Sequence, residues 1–186
     1  MSRFDFVSTG LKDLTIVKRT AVEDQRGFLS RLYCAEQFGK VGFTKPIAQV
    51  NHTFTSDKGI VRGLHFQYPP QAEVKLVSCL QGEVFDIAVD LRRDSPTFLQ
   101  WHGELLSATN RTSLLIPEGF AHGFQTLMAN CELIYLHTAA YHPECEGALN
   151  ATDPLLNIAW PIAIADMSEK DRNHKLIERD FEGLVL

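Results

Sequence analysis

Cysteine is scarce in this sequence, and its few cysteines are scattered. Cys34, Cys79, Cys131 and Cys145 are the only four among 186 residues, and no two have the Cys-x-x-Cys spacing of redox or zinc motifs. The sequence also lacks a signal peptide and any apolar run long enough to cross a membrane. We therefore expect a cytoplasmic protein and find no reason to expect disulfide bonds.

An excess of basic residues is also missing. The chain has 18 Lys and Arg against 23 Asp and Glu, which gives a formal net charge of −5. A general nucleic-acid-binding protein needs a basic face that neutralises phosphates, so the composition argues against that class. One small anionic ligand is still compatible with this balance, because a local cluster of Arg and Lys suffices to hold it.

Short strand patterns at fairly even spacing dominate the sequence. Helical patterns are few, with one over Ala35–Lys40 and a short one after Ser168, and Pro143–Pro161 is typical of an ordered loop that covers a core. There is no repeat and no linker, so we expect one all-β domain over residues 1–186, a sandwich or barrel. The predicted strands are Leu14–Lys18, Phe28–Tyr33, Ile47–Thr55, Gly59–Gln67, Val74–Leu80, Val84–Leu91, Phe98–Leu106, Ser113–Ile116, Phe124–Met128 and Cys131–Thr138.

One turn between two of these strands is especially clear. Gln81-Gly82-Glu83 separates Val74–Leu80 from Val84–Leu91, and its glycine suits a positive φ angle. The pattern predicts a tight β-hairpin.

Charged and polar side chains interrupt strands that otherwise look buried. Arg62, His65, Lys75 and His122 all stand among apolar neighbours. A single histidine of this kind is usually a satisfied core residue, and a lone lysine is usually at a solvent-facing edge. Four together favour a polar cavity, because a charge inside a β-barrel is costly unless it is paired or used.

Pro117-x-Gly119-x-x-His122 resembles the second signature of the cupin jelly roll. Metal-binding cupins add a His-x-His and a Glu from the first signature. Here that place has His65 and Gln67, and Lys75 stands where a carboxylate would be needed. Because an ammonium group repels a divalent cation, we expect no metal here.

Several motifs, in the same order, closely resemble the dTDP-4-dehydrorhamnose 3,5-epimerases. The match extends from about residue 14 to about residue 175, nearly the whole chain. It implies a cupin jelly-roll barrel with an N-terminal strand arm and a short C-terminal helical segment. The motifs are Asp24-Gln25-Arg26-Gly27-Phe28, Arg62-Gly63-Leu64-His65-Phe66-Gln67, Lys75-Leu76-Val77, the run from Gly82 to Arg92, Ser95-Pro96-Thr97-Phe98, the run from Pro117 to Phe124, Asp153-Pro154, Trp160-Pro161 and Ser168-Glu169-Lys170-Asp171.

The resemblance implies a reaction without redox cofactor or metal. The family inverts C3, C5 or both in a nucleotide-linked 4-keto-6-deoxy sugar, through an enolate at the C4 carbonyl. His65 matches the general base, and Asp171 matches the carboxylate that orients it. From spacing alone, Ser168-x-x-Asp171 is also a helix capping box. Tyr135 matches the general acid, although a tyrosine in such a run is usually a packing residue.

The remaining matched positions concern substrate binding. Lys75 and Arg62 match cations near the C4 oxygen, and His122 matches a histidine that contacts the substrate. Arg26 matches a diphosphate-binding arginine on an N-terminal segment that reaches the partner subunit, which implies a homodimer. The resemblance further implies substrate contacts for Gln49, Asn51, Gln67 and Tyr141.

Four positions depart from the family pattern around the nucleotide. Arg31 lies where an acid is common, Ser78 replaces an Arg, Val50 replaces an Asp, and Ala140 replaces a Tyr. These changes fit either drift at the pocket rim or a different nucleotide sugar. The rivals to a 3,5-epimerase are a 3-only or 5-only epimerase, a non-catalytic sugar-binding cupin and a metal-dependent cupin oxygenase or isomerase.

Overall fold

The computed structural model describes residues 2–186, which form thirteen strands and two short helices. Additional 3₁₀ turns span Gly39–Val41 and Pro143–Cys145. The helices are α1 (Ala35–Phe38) and α2 (Glu169–Arg172). The strands are β1 (Phe4–Ser8), β2 (Thr15–Arg19), β3 (Val22–Asp24), β4 (Gly27–Leu29), β5 (Gln49–Thr55), β6 (Val61–Gln67), β7 (Lys75–Gln81), β8 (Glu83–Asp90), β9 (Trp101–Ser107), β10 (Thr112–Ile116), β11 (Phe120–Thr126), β12 (Cys131–His137) and β13 (Glu146–Ala148).

Two antiparallel sheets face each other. The six-stranded sheet has the order β1-β2-β10-β7-β12-β5, and the five-stranded sheet has the order β13-β6-β11-β8-β9. This confirms the predicted mainly β, cupin-like jelly roll, although the two sheets stay separate and do not close into one barrel. No helix of residues 2–186 is long and apolar enough to cross a membrane.

Three apolar layers hold the sheets. The central layer lies between them and includes Val77, Ala88, Leu114, Phe124 and Leu133. A second layer packs α1 and Phe43 on the outer face of the six-stranded sheet. A third places the C-terminal segment on the outer face of the five-stranded sheet. Because the inner faces of both sheets lie against the central layer, a charged side chain on an inner face needs a partner.

The turn at Gly82 does not form the predicted hairpin. Gly82 does adopt a positive φ of 78°, but β7 pairs with β10 and β12, whereas β8 pairs with β9 and β11. The turn is therefore a corner that carries the chain from one sheet to the other. A side chain at Gly82 would also meet Cys131 Sγ at 2.6 Å.

The N-terminal region differs from the sequence prediction in two places. β1 was not expected, and it extends the six-stranded sheet beside β2. The predicted strand Phe28–Tyr33 shortens to β4, which forms a separate two-stranded hairpin with β3. All six residues of this hairpin's strands are exposed. Arg111 anchors it, since its guanidinium lies 4.5 Å from the Phe28 ring centroid and 2.7 Å from Glu23 Oε1.

Candidate active site

A polar cavity opens between the two sheets. One part has a volume of about 330 Å³ and a deeper part about 190 Å³, and the two share Asn51, His65, Lys75 and His137. A larger cavity of about 770 Å³ lies elsewhere, between the β1–β2 turn and the segment around Lys40–Lys45. Of the predicted catalytic residues, His65, Lys75 and Tyr135 border the two smaller parts and not the larger one. Asp171 borders none of the three and contacts His65.

A β-bulge in β6 turns Arg62 and His65 into this cavity. Side chains three positions apart in a regular strand point to opposite faces. Here His65 lies opposite His122 and Arg62 opposite Phe124, so β6 carries one extra residue between these pairs. The bulge requires glycine at position 63, because φ is 121° and a Cβ would lie 2.6 Å from Gly123 Cα.

His65 is hydrogen-bonded to Asp171 across the fold. Its Nε2 lies 2.7 Å from Asp171 Oδ1, and the Gly63 amide donates to the other carboxylate oxygen at 3.4 Å. Burial alone would raise the pKa of Asp171, but these contacts, led by His65, hold that pKa below its usual value. An ionised carboxylate only accepts hydrogen bonds, so the neutral imidazole of His65 has its proton on Nε2 and its lone pair on Nδ1.

Asp171 also belongs to the helix cap that its spacing predicts. The Ser168 hydroxyl accepts a hydrogen bond from the Asp171 backbone amide at 3.0 Å, at the start of α2. The capping contact uses the backbone and leaves the carboxylate free for His65. The two interpretations of the motif are therefore compatible, since they involve different atoms of the same residue.

Lys75 is buried on β7 and held in place by two contacts. Its ammonium group lies 3.2 Å from Glu73 Oε1 and donates to the His65 carbonyl oxygen at 3.3 Å. Only 7% of the residue is exposed. Its charge therefore sits at the cavity wall beside His65, balanced by a carboxylate.

Glu73 and His137 were missed in the sequence and connect Lys75 to the cavity floor. Glu73 accepts from His137 Nδ1 at 2.8 Å, and His137 Nε2 lies 3.4 Å from the Asn51 amide. Burial raises the pKa of Glu73, but His137 and Lys75 outweigh it, so that pKa is lowered. The available signal was alternation, because His137 lies two positions after Tyr135 on the same strand face.

Tyr135 lies on the opposite sheet from His65. It is 8% exposed and its ring stacks on His137, with centroids 5.9 Å apart. Burial, followed by the nearby charge of Asp86, raises the pKa of Tyr135 above its usual value. The phenol therefore keeps its proton at neutral pH, as a general acid must.

His122 forms a second histidine–carboxylate pair deeper in the cavity. Its Nε2 lies 2.8 Å from Asp86 Oδ1, and Asp86 is fully buried. Among residues 2–186, nothing hydrogen-bonds to the other oxygen of Asp86. Burial raises the pKa of Asp86, against the opposing effect of His122.

The predicted substrate-binding residues fall into three groups. Gln49, Asn51 and Arg62 border the cavity, and Tyr141 lies at its mouth with its hydroxyl 3.1 Å from Glu146. Gln67 borders it too, but its amide is occupied by backbone groups of residues 71, 140 and 142.

Arg26 is the third case, because it lies away from the cavity of its own chain. It sits in the exposed β3–β4 hairpin and pairs with Asp24 at 2.6 Å. Its side chain is 89% exposed.

The positions that depart from the family pattern also lie outside this cavity lining. Ser78 is buried on the outer face of β7, with its hydroxyl 2.6 Å from that of Ser113. Ser78 therefore does not border the cavity of its own chain. Val50 is 55% exposed, and Arg31 and Ala140 are also exposed.

Comparison with known proteins agrees with this geometry. The family model of dTDP-4-dehydrorhamnose 3,5-epimerase matches residues 8–179. The chain belongs to this family. The epimerase of Salmonella typhimurium is 42% identical over 175 residues, covering 93% of this chain and 95% of the relative.

Solved structures of the epimerase family superpose closely on this chain. The dTDP-6-deoxy-D-glucose-3,5-epimerase of Legionella pneumophila, in complex with dTDP-4-keto-L-rhamnose, has a TM-score of 0.89 and 41% identity, covering 93% of this chain and 92% of that one. A 3'-monoepimerase of Streptomyces bikiniensis, in complex with dTDP-quinovose, has a TM-score of 0.84 and 30% identity, covering 90% and 85%.

Proposed function

We propose that this protein converts dTDP-4-dehydro-6-deoxy-D-glucose to dTDP-4-dehydro-L-rhamnose by inverting C3 and C5. The observation that carries the proposal is the His65–Asp171 pair, which faces Tyr135 across a polar cavity in a chain of this family. Both sheets contribute to one central core, which supports a single domain over residues 1–186.

The first step is proton removal. The protons on C3 and C5 are acidic because each carbon is α to the C4 carbonyl. His65 takes one of them through Nδ1, since Nε2 donates to Asp171. The imidazolium that forms is stabilised by the ionised Asp171.

The enolate that results places negative charge on the C4 oxygen. Lys75 supplies a fixed positive charge at the cavity wall, and Glu73 keeps its ammonium group in place. A preorganised charge in such a cavity stabilises a developing oxyanion more than a mobile charge in water does. Arg62 adds a second cation at the rim of the same cavity.

Reprotonation from the opposite face completes the inversion. Tyr135 lies on the sheet that faces His65, and its raised pKa keeps the phenol protonated until the enolate forms. The reaction needs no redox cofactor and no metal, because the proton removed and the proton returned balance. His122, Asn51 and Gln49 border the space left for the sugar and its substituents.

Solvent deuterium incorporation tests this function. The protein is incubated with dTDP-4-dehydro-6-deoxy-D-glucose in heavy water, and C3 and C5 are followed by NMR. Label at both carbons supports the 3,5-epimerase, and the greater similarity to 3,5-epimerases than to the monoepimerase favours this result. Label at one carbon would mean a single-centre epimerase. Absence of label while the ligand is bound would contradict the proposal that this protein epimerises the sugar.

Nucleotide selectivity has its own test. None of Arg31, Val50, Ser78 and Ala140 belongs to the described cavity lining, which supports a dTDP-linked sugar over another nucleotide. We expect higher kcat/KM for the dTDP sugar than for CDP- and GDP-linked keto sugars. Equal values for all three would contradict this selectivity.

The exposed hairpin supports a homodimer with exchanged arms. Arg26 lies away from its own cavity, and the neighbouring Phe28 and Leu29 are 62% and 75% exposed. Such apolar exposure is typical of an interaction surface. In a homodimer, Arg26 then binds the diphosphate in the partner's site.

Mixed dimers distinguish exchanged arms from arms that serve their own subunit. Arg26→Ala and His65→Asn chains are unfolded together and refolded to form heterodimers. With exchanged arms, one site of each heterodimer regains both native residues, and activity rises above that of either parent. Activity no higher than that of the separately refolded parents would contradict the exchange.

A further inference from the structure

A second histidine approaches the His65–Asp171 pair from the end of α2. His174 Nε2 lies 3.6 Å from Asp171 Oδ1, the same oxygen that His65 contacts at 2.7 Å. One donor atom from each of the three residues lies within 4.8 Å of the other two. Asp171 lies in α2, and His174 follows the helix directly after its C-cap residue, Asn173.

The ring nitrogen of His174 is buried and unused. Nothing in the described part of the chain, residues 2–186, hydrogen-bonds to His174 Nε2. Its ring meets that of His65 edge-on, with centroids 6.1 Å apart. Buried polar atoms in folded proteins are nearly always paired, so a free nitrogen beside a histidine and a carboxylate requires an explanation.

The three donors match the preferences of zinc. Two imidazole nitrogens and one carboxylate oxygen are common zinc ligands, and three protein ligands leave a fourth position for water. We propose that His65, Asp171 and His174 form a Zn²⁺ site, and that Zn²⁺ bound there inhibits the epimerase reaction.

The surroundings allow a cation to enter. A cavity of about 340 Å³, bordered by His65, Asp171 and the segment from Asp166 to Lys170, leads to the pair from outside. Two of the nearby cations are neutralised, because Lys170 pairs with Glu146 and Arg172 with Asp166. Lys75 is likewise paired with Glu73. Arg62 also borders this cavity and bonds to the Thr55 hydroxyl at 3.4 Å, so it is the charge that an entering cation must pass.

The inhibition follows from the protonation of His65, and this part rests on the proposed function. Zn²⁺ takes the lone pair of Nε2, so the single proton of the neutral imidazole moves to Nδ1. Nδ1 then has no lone pair to accept the substrate proton. The residues that bind the sugar and nucleotide are untouched, so kcat falls while KM changes little.

Metal binding is measured first, without reference to activity. Metal-free protein is titrated with ZnCl₂ by calorimetry, and with CoCl₂ by visible absorption, which reports a tetrahedral site. We expect one equivalent for the native chain and an affinity at least about tenfold lower for His174→Gln. His52→Gln is the matched control, because His52 is exposed and pairs with Glu132 on the outer edge.

Either of two results would contradict the Zn²⁺ site. One is that the native chain fails to bind micromolar Zn²⁺, and the other is that His174→Gln binds Zn²⁺ with the same affinity as the native chain. Thermal melting checks that His174→Gln is folded. Because this arm does not use the epimerase assay, an inactive protein that still binds Zn²⁺ through His174 would count against the proposed function and not against the site.

Inhibition is measured second. Micromolar Zn²⁺ is expected to lower kcat of the native protein and of His52→Gln, with recovery on addition of EDTA. His174→Gln is expected to keep its basal activity and to resist Zn²⁺. Equal inhibition of both variants would overturn the inhibitory role.

Discussion

Two histidines that border the same cavity each pair with an aspartate behind the cavity lining, and the two hydrogen bonds have almost the same length. His65 Nε2 lies 2.7 Å from Asp171, and His122 Nε2 lies 2.8 Å from Asp86. The two histidines are direct neighbours across β6 and β11. Distance alone therefore does not separate the proposed base from its neighbour.

Burial and the second carboxylate oxygen do separate them. The His65 side chain is 37% exposed and that of His122 only 7%. Asp171 has a partner for each oxygen and its pKa is lowered, whereas fully buried Asp86 has a raised pKa. The same contact thus supports an ionised carboxylate beside His65 and disfavours one beside His122.

The largest expected difference concerns the histidines themselves. His65→Asn removes the general base, and we expect kcat to fall by about 10²- to 10⁴-fold. His122→Asn removes only a substrate contact, so a loss of about tenfold in kcat/KM is expected, ~1.4 kcal/mol. Steady-state kinetics on both variants, with thermal melts as a folding control, makes the comparison. Equal losses of activity in the two variants would contradict the assignment of His65, and not His122, as the general base.

Replacing the aspartates should give the same ranking as replacing the histidines, with the larger loss of kcat at the His65–Asp171 pair. Asp171→Asn allows His65 to adopt the wrong tautomer, and kcat should fall by about 10²-fold or more. Asp86→Asn keeps an oxygen that accepts from His122, and its kcat should stay within about tenfold of the native value. A larger loss in Asp86→Asn than in Asp171→Asn would mean that the buried pair performs the proton transfer.

At neutral pH, the two aspartate variants should differ from the native chain in stability with opposite signs. The lowered pKa of Asp171 stabilises the fold above the unfolded pKa of about 3.9, and this is lost as the pH falls. Asp171→Asn should therefore be less stable than the native chain at neutral pH, with the gap closing towards acid.

The raised pKa of Asp86 works the other way. Ionisation of this buried carboxyl destabilises the native chain as the pH rises above about 4. Asp86→Asn should gain about 2 to 4 °C in Tm at neutral pH, the shift of roughly 1 kcal/mol in a chain of this size. Thermal melts at several pH values measure both variants, and shifts of the same sign would contradict the two pKa directions.

The smallest expected effect on activity concerns Glu73 and its contacts. Glu73 lies between Lys75 and His137, and Glu73→Gln keeps an acceptor for His137 while it removes the charge beside Lys75. We expect a loss of about tenfold or less in kcat/KM, ~1.4 kcal/mol. Gln49→Glu makes the opposite change on the same cavity wall, because it adds a carboxylate where Glu73→Gln removes one. No change in Glu73→Gln would mean that Lys75 does not depend on this carboxylate for its position.

Most strands could be predicted from the sequence, but their partners could not. Alternation located β5 to β12 to within a few residues, because side chains on opposite faces meet different surroundings. The turn at Gly82 was also predicted, yet turn chemistry is local and does not reveal that β7 and β8 join different sheets. β1 was missed because Phe4–Ser8 is short and precedes the clear patterns.

The cavity side chains could be predicted as a set from the strand patterns, whereas the His65–Asp171 contact was expected from the family resemblance alone. Arg62, His65, Lys75 and His122 stood out as polar residues in apolar strands. Glu73 precedes its strand, so no alternation marked it. The contact between His65 and Asp171 joins residues 106 positions apart, which only the packing of α2 against β6 brings together.

The central claim is that His65 and Asp171 remove the substrate proton and that Tyr135 returns it from the other face. The most direct test measures solvent deuterium at C3 and C5 in Tyr135→Phe and in His65→Asn. The account predicts that Tyr135→Phe still exchanges protons while inverted product falls, because the base is intact and returns deuterium to the same face. His65→Asn should lose both. Exchange that survives in His65→Asn at the native rate would contradict the account.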